Sequence, residues 1–214
     1  MIKLIPGHRR DEFKKEIDAM HRLRKSIFKD TNNWDVPIIN RWEVDGYDAL
    51  NPLYVLSMDE CDEVVGCLRL LPTMGFNMLN DTFPELLPEG NRVESPLIWE
   101  SSRFAAQCPA GQRSVAWLSQ ITAELGMALN DIGRRAGLSH IVTVYDAKMH
   151  RMLKATRCAG EPISEPRMIG SVLTYAVVYE IGDHWEQQVR ELFDAVDRVD
   201  FDQLSVVDAI RRAA

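Results

Sequence analysis

The sequence predicts a single α/β domain, an α-β-α sandwich around a central mixed, mostly antiparallel sheet. Three observations predict it. Strand-like and helix-like patterns interleave along the chain with no Pro/Ser linker and no internal repeat, the order expected of one layered domain. Two β-rich runs, about 53–58 and 63–71, are separated only by the polar turn Asp59 to Asp62, as in a hairpin. The 214 residues, 46% of them hydrophobic, suffice to enclose one complete core, so residues 1–214 are taken as one domain.

Phe13, Ile17, Met20, Leu23 and Ile27 recur at steps of three and four, so residues from about 10 to 27 are expected to form an amphipathic helix. Arg22, Lys25 and Arg24 are assigned to its polar face. From Lys29 to Leu50, Asn32, Asn33, Pro37, Asn40, Gly46 and many acids break every period, yet Phe28, Trp34, Trp42 and Tyr47 lie in or beside this stretch. So long and aromatic a loop is expected to cover something rather than to serve as a linker.

The hairpin follows, and Pro72 closes its second strand. Met78 to Leu87 is a short apolar segment broken by Pro84 and ended by Pro88 and Gly90. Leu97 to Ala105 reads as a third strand, Ser114 to Arg135 as a long helix stopped at Gly137, and Ser139 to Tyr145 as a fourth strand. Asp146 to Arg157 is expected to be a short helix and Ser171 to Ile181 a strand rich in Val and Tyr. Residues 183–213 suggest one or two amphipathic helices.

Composition narrows the function classes. Lys plus Arg total 25 against 32 Asp plus Glu, a formal charge of -7, which argues against a surface that tracks nucleic acid and leaves room only for a local basic patch. Cys61, Cys67, Cys108 and Cys158 form no C-x-x-C pair and no His/Cys grouping, so no disulfide framework and no metal site are expected. The cysteines read as reduced and the chain as cytoplasmic. No apolar stretch suits a signal peptide, and no run approaches the ~18 apolar residues of a membrane span.

The informative feature is charge placed where solvent should not be. Arg69 lies within Val64 to Leu71, a strand otherwise apolar on both faces, and an unpaired buried charge there would cost about 3–5 kcal/mol. The strand Ile98-Trp99-Glu100-Ser101-Ser102-Arg103-Phe104 poses the same problem. Alternation places Glu100 and Ser102 on one face and Arg103 on the other unless a bulge intervenes. Arg24, Arg69 and Arg103 against Glu43, Asp45, Asp48 and Glu100 leave one negative charge, so the cluster would be balanced by a cationic ligand. Phe28, Trp34 and Trp42 offer faces for cation-π contact or base stacking. The same charges would equally serve as an ion network fastening the loop to the sheet.

Arg24, Phe28, Trp34, Glu43, Asp45 and Asp48 are followed by Gly66-Cys67-x-Arg69-Leu70-Leu71-Pro72-Thr73. Met78-Leu79, Phe83-Pro84 and Trp99-Glu100-x-Ser102-Arg103-Phe104 come next. This ordered set strongly resembles the acyl-homoserine-lactone synthases, the bacterial autoinducer synthases of quorum sensing, over roughly residues 1–181. The resemblance implies a fold similar to the acetyltransferases (GNAT-like). It also implies a reaction in which S-adenosylmethionine is N-acylated by a fatty acyl thioester, then lactonises and releases methylthioadenosine. S-Adenosylmethionine is thus a substrate, and no cofactor is expected.

Such a substrate carries a sulfonium, an ammonium, a carboxylate and an adenine, and the cluster offers acids, arginines and aromatic planes to meet them. The ammonium must lose a proton before it attacks, and Glu100 is the expected general base, its strand setting favouring a raised proton affinity. By resemblance, Arg24, Phe28, Trp34 and Arg103 would line the nucleoside site, with Asp45, Asp48 and Arg69 holding its walls. Ser102 and Arg69 join Glu100 as the expected catalytic set, and backbone N–H groups around Phe104 to Gln107 would meet the oxyanion. Trp42 and Tyr47 fall outside the family pattern and read as packing residues.

The acyl chain needs a tunnel, for which Trp117, Ile121, Leu125, Met127, Leu129, Ile141, Thr143 and Tyr145 are candidates. In this family a threonine near Thr143 is associated with donors carrying an oxygen at C3. Lys148, Arg151, Lys154 and Arg157 recur every three residues on an otherwise acidic protein, and acyl carrier protein is itself acidic, so this stripe is the expected dock for the acylated carrier. Acyl-CoA is the alternative donor. Two competing readings are an acetyl-CoA-dependent acetyltransferase and a non-catalytic binding protein. Gln107 to Arg113 does not fit the pyrophosphate-cradling turn that the first would need.

Overall fold

The computed structural model describes residues 1–108, 115–155 and 158–192. In chain order the elements are β1 (Ile2–Pro6), α1 (Lys14–Lys25), β2 (Ile38–Ile39), β3 (Trp42–Glu43), β4 (Leu53–Met58), β5 (Val64–Pro72) and α2 (Met78–Asp81). They continue with β6 (Ile98–Ala106), α3 (Val115–Ala136), β7 (His140–Asp146), α4 (Ala147–Ala155), β8 (Glu161–Pro162), β9 (Arg167–Ile169), β10 (Val172–Glu180) and α5 (Asp183–Leu192). The main sheet runs β1-β4-β5-β6-β7-β10, with β8 and β9 pairing successive parts of β10 on its outer edge. Among the described residues its strand pairs are antiparallel except β6 with β7. The expected mixed, mostly antiparallel sheet is what forms.

Several elements differ from expectation. The first helix does not run from 10 to 27: Gly7–Glu12 is a 3₁₀ segment, Phe13 breaks it at φ -121° and ψ 42°, and α1 begins at Lys14. At its other end α1 widens into a π-helix over Ser26–Thr31, so the helical path outlasts the apolar stripe. The long loop contains the two-residue ladder of β2 with β3 and a 3₁₀ turn at Gly46–Ala49. Met78 to Leu87 resolves into α2 and a 3₁₀ turn at Pro84–Leu86. The edge strand β1 and the short β8 and β9 leave no readable pattern in the sequence, because each offers too few alternating residues.

The two faces of the sheet have different company. On one face, Leu68, Leu70, Trp99 and Ile141 pack with Ile121, Leu125, Ile132, Trp185 and Val189 of α3 and α5. The approach is close: a Cβ at Gly66 would come within 2.5 Å of Ile121. On the other face, Ile5, Tyr54, Leu56 and Cys67 pack with Met20, Leu23 and Phe28 from the α1 region. Farther along that second face, Leu79, Leu86 and Leu87 cover Val142 and Ala176. Each such fully buried side chain contributes about 1.5–3 kcal/mol of transfer free energy.

The parallel pair is short. β6 and β7 are in register only from Ile98 with His140 to Ser101 with Thr143, although β6 continues to Ala106 and β7 to Asp146. Beyond that point the strands separate. The sheet therefore has a split at its centre, next to the charged residues of β6.

Candidate active site

The buried charges meet on the α1 side of the sheet, beside that split. Arg24, expected on the polar face of α1, is instead 1% exposed. Its Nη1 and Nη2 donate to the two carboxylate oxygens of Asp48, each at 2.9 Å, and its Nε donates to Glu43 Oε2 at 2.5 Å. Burial works against these charges, but the hydrogen bonds and ion pairing prevail: the Arg24 pKa is raised, and Asp48 is held far below the usual carboxylate range. Asp45 caps the 3₁₀ turn that carries Asp48, accepting from the N–H groups of Tyr47 and Asp48. The turn is thus held by its own backbone contacts as well as by the arginines.

A bulge in β6 brings Arg103 to this same face. Cys67 faces Ala105 while Arg69 faces Ser102, so β6 carries one extra residue, and Arg103 adopts φ 56°. Its Nε donates to Glu43 Oε1 at 3.0 Å, and its Nη2 lies 2.7 Å from Asp45. Arg69, fully buried, donates to Asp45, to Asp48 and, from Nε, to Ser102 Oγ at 3.2 Å. Three arginines therefore share three carboxylates. This much behaves as the ion network that the sequence left open as an alternative.

Glu100 stands apart from that exchange and is the anion left over in the sequence count. Its oxygens accept from the Met78 N–H at 3.0 Å and the Leu79 N–H at 2.5 Å, so it seats the first turn of α2. No ion pair joins it to Arg69 or Arg103 among the described residues, although both exert a weaker pull from a distance. Burial dominates and pushes its carboxyl up to about 7. Unlike Asp48, it is a carboxyl that its burial leaves easier to protonate.

Phe28 and Trp34 stack with planes 2° apart and centroids 5.4 Å apart, and Arg103 lies over the Phe28 ring at 5.7 Å. The π-helix places Phe28 there. Trp42, offered as a possible stacking face, instead donates from Nε1 to Asp18 on the far side of α1. Tyr47 does more than pack: its ring lies 5.5 Å from the Arg69 guanidinium and its hydroxyl meets Thr82 Oγ1 at 2.6 Å. Reading the sequence missed Tyr54, whose hydroxyl donates to Asp48, and His21, whose Nδ1 sits 2.7 Å from the Glu43 carbonyl. Only the alternation of β4, which turns Tyr54 toward α1, could have signalled the former.

Phe104 and Thr143 do not join this cluster. Phe104 packs into the core under α3, and Thr143 shares the α3 side with Ile141, since its neighbours Val142 and Val144 pack on the other. They lie across the sheet from Glu100, on the two strands that part there. Ile121, Leu125, Met127, Leu129 and Ile141 are buried on that side. The side chain of Trp117 and all of Arg157 lie outside the described residues. Lys148, Arg151 and Lys154 are exposed on α4.

A mixed, mostly antiparallel sheet whose central parallel pair parts beside a buried charged cluster is the architecture of the GNAT-like acyltransferases. The chain belongs to the autoinducer synthase family, whose profile matches residues 9–189. It is 42% identical over 148 residues to an acyl-homoserine-lactone synthase of Pseudomonas aeruginosa, covering 68% of this chain and 73% of that one. The crystal structure of the synthase LasI aligns with a TM-score of 0.77 and 33% identity over 92% of this chain and 98% of that one. The synthase BjaI, described as CoA-dependent and solved with S-adenosylmethionine and isopentyl-CoA, aligns with a TM-score of 0.82 at 24% identity, over 100% and 98%. An N-acetyltransferase of Lactobacillus plantarum shares the fold at a TM-score of 0.54 and 13% identity, over 85% and 99%. The chain is accordingly an acyl-homoserine-lactone synthase, and among its described residues no helix is long and apolar enough to cross a membrane.

Proposed function

We propose that the chain transfers a fatty acyl group from acylated acyl carrier protein to the amine of S-adenosylmethionine and then closes the lactone. The observation that carries this reading is Glu100: a buried carboxyl near 7, close in sequence to Arg103 and at the parting of β6 and β7. Glu100 takes a proton from the substrate ammonium. The amine then attacks the thioester carbonyl, a C–N bond forms, and the C–S bond to the carrier breaks as the thiol leaves with a proton. In the second step the substrate carboxylate attacks the carbon bearing the sulfonium. A C–O bond forms, that C–S bond breaks, and neutral methylthioadenosine departs.

The residues divide between the faces. Arg24, Phe28, Trp34, Asp45, Asp48 and Arg103 bind and wall the nucleoside, while Arg69 and Ser102 hold the floor beneath it. Arg103 has five N–H donors, of which Nε, Nη1 and Nη2 each meet one partner among the described residues, so it retains donors for an incoming carboxylate. The acyl chain passes between β6 and β7 toward Phe104 and Thr143, under α3. The thioester carbonyl then lies in the split, within reach of an amine presented from the Glu100 side.

The carrier is assigned from α4. Lys148, Arg151 and Lys154 are exposed and have no acidic partner among the described residues, which suits an acidic protein donor. Acyl-CoA is the second reading, favoured by the likeness to BjaI, a CoA-dependent synthase with isopentyl-CoA in its complex. Supplying S-adenosylmethionine with either acyl carrier protein or CoA bearing the same acyl chain, and measuring methylthioadenosine and lactone by mass spectrometry, tests both. Lactone from the carrier-bound donor at a higher kcat/KM supports the proposal. Methylthioadenosine without lactone, or no product from either donor, overturns it.

A further inference from the structure

Met78 is the residue that touches both halves of the site. Its sulfur accepts from Arg69 Nη2 and from Arg103 Nη1, each at 3.3 Å. Its own N–H donates to Glu100 Oε2 at 3.0 Å. The side chain is 7% exposed, and α2, which starts with it, is seated on Glu100. The N–H groups of Arg69 are otherwise divided among Ser102, Asp45 and Asp48, so the thioether completes the set around a guanidinium that has no access to solvent.

The chemistry of a thioether suits that place. A carboxylate between the two arginines would fix them more firmly, but it would also cancel their charge and put an anion beside Glu100. A neutral sulfur accepts weakly, aims the two N–H groups and leaves the guanidinium charge of Arg103 for the substrate carboxylate. Leucine has the same bulk and no acceptor. Glutamine has similar length and an oxygen acceptor.

We infer that Met78 is a positioning residue for the reaction, its sulfur aiming Arg69 and Arg103 and its N–H fixing the Glu100 carboxyl. The inference rests on the reading that these groups receive S-adenosylmethionine. Because the two contacts come from different parts of the residue, they separate by mutation. Met78→Leu removes the sulfur and keeps the N–H, so KM for S-adenosylmethionine rises about tenfold while kcat and the acid limb of the pH profile stay within about twofold. Met78→Gln restores an acceptor and brings KM back to within about threefold of the parent.

Calorimetric titration of parent, Met78→Leu and Met78→Gln proteins with S-adenosylmethionine, alongside steady-state kinetics and thermal melting, decides the matter. Weaker binding by the leucine variant with recovery in the glutamine variant, at equal melting temperatures, supports the inference. Equal affinity of parent and leucine variant overturns it, as does equal impairment of the two variants. No heat from the parent protein would instead overturn the underlying reading of the site, and is told apart by that control alone.

Discussion

Arg24 and Asp48 form a two-pronged ion pair, both Nη atoms on both carboxylate oxygens at 2.9 Å, in a place with almost no solvent. It ties the end of α1 to the long loop, 24 residues apart in sequence. Removal of either partner leaves the other, buried, with only one of its two ion-pair partners (Glu43 for Arg24, Arg69 for Asp48), which costs up to about 3–5 kcal/mol. Arg24→Ala or Asp48→Ala should therefore lower the denaturation midpoint sharply, and Arg24→Lys should recover little, because an ammonium cannot make the fork. Urea unfolding of the three variants is the check.

Acid should act on the same pair. Asp48 is held well below its ordinary 3.8, by Arg24 and Arg69 against the opposing effect of burial. A depressed carboxyl contributes stability that is complete above its unfolded value and declines as pH falls below it. Melting temperature should thus begin to drop near pH 4, and Asp48→Asn should melt lower than the parent at pH 6 but converge with it at lower pH.

Glu100 carries the opposite sign. Burial raises its carboxyl from 4.5 to about 7, so between those values the folded state holds the extra proton and stability falls as pH rises, by about 3 kcal/mol across the window. Catalysis needs the deprotonated form, so kcat/KM should climb through an acid limb near pH 7. Glu100→Gln should lose about 10²–10⁴ in acylation rate and flatten the decline in melting temperature between pH 5 and 7. At pH 5 and below it should melt close to the parent, since the protonated carboxyl, like the amide, offers one good acceptor oxygen to the Met78 and Leu79 N–H groups. An unchanged rate in the Gln variant would remove Glu100 as the base.

At Arg103 the backbone and the side chain make separable demands. The φ of 56° is one that long side chains rarely adopt, and glycine adopts it freely. Arg103→Gly and Arg103→Ala both lose the contacts to Glu43 and Asp45, yet the glycine variant should be more stable than the alanine variant by about 1 kcal/mol. Both should bind S-adenosylmethionine poorly. A comparison of their melting temperatures and titrations separates strain from recognition.

The exposed cations of α4 predict a salt effect. Replacement of Lys148, Arg151 and Lys154 together by Gln should raise KM for acylated carrier protein about tenfold at low salt, leave KM for S-adenosylmethionine unchanged, and flatten the dependence on ionic strength. Initial rates from low to high salt test it. Equal slopes for parent and variant would dissociate the stripe from the carrier.

Much of the site was legible because charge in an apolar strand has few explanations. Arg69 amid Val64 to Leu71 and Glu100 beside Trp99 announced a buried cluster, and the hairpin, α3, β7 and β10 followed from plain periodicity. What escaped were features decided by tertiary geometry. Nothing in Ser26–Thr31 distinguishes a π turn from an α turn, although it sets Phe28. The bulge at Arg103 was foreseen only as a condition, since register belongs to the partner strand as much as to β6. Met78 stood in the set of residues that carries the family resemblance but without a role of its own, because that role depends on two guanidiniums arriving from other strands.

The sheet also acts as a partition. Ionic groups gather beneath α1 and the loop, whereas Phe104, Thr143 and the side chains of α3 occupy the opposite layer. Away from the parting of β6 and β7, the sheet separates changes in residue volume within that greasy layer from the buried charges, so they need not disturb them. A lineage could therefore alter its chemical dialect by resculpting one side of the molecule while the ionic cluster on the reverse stays as it was.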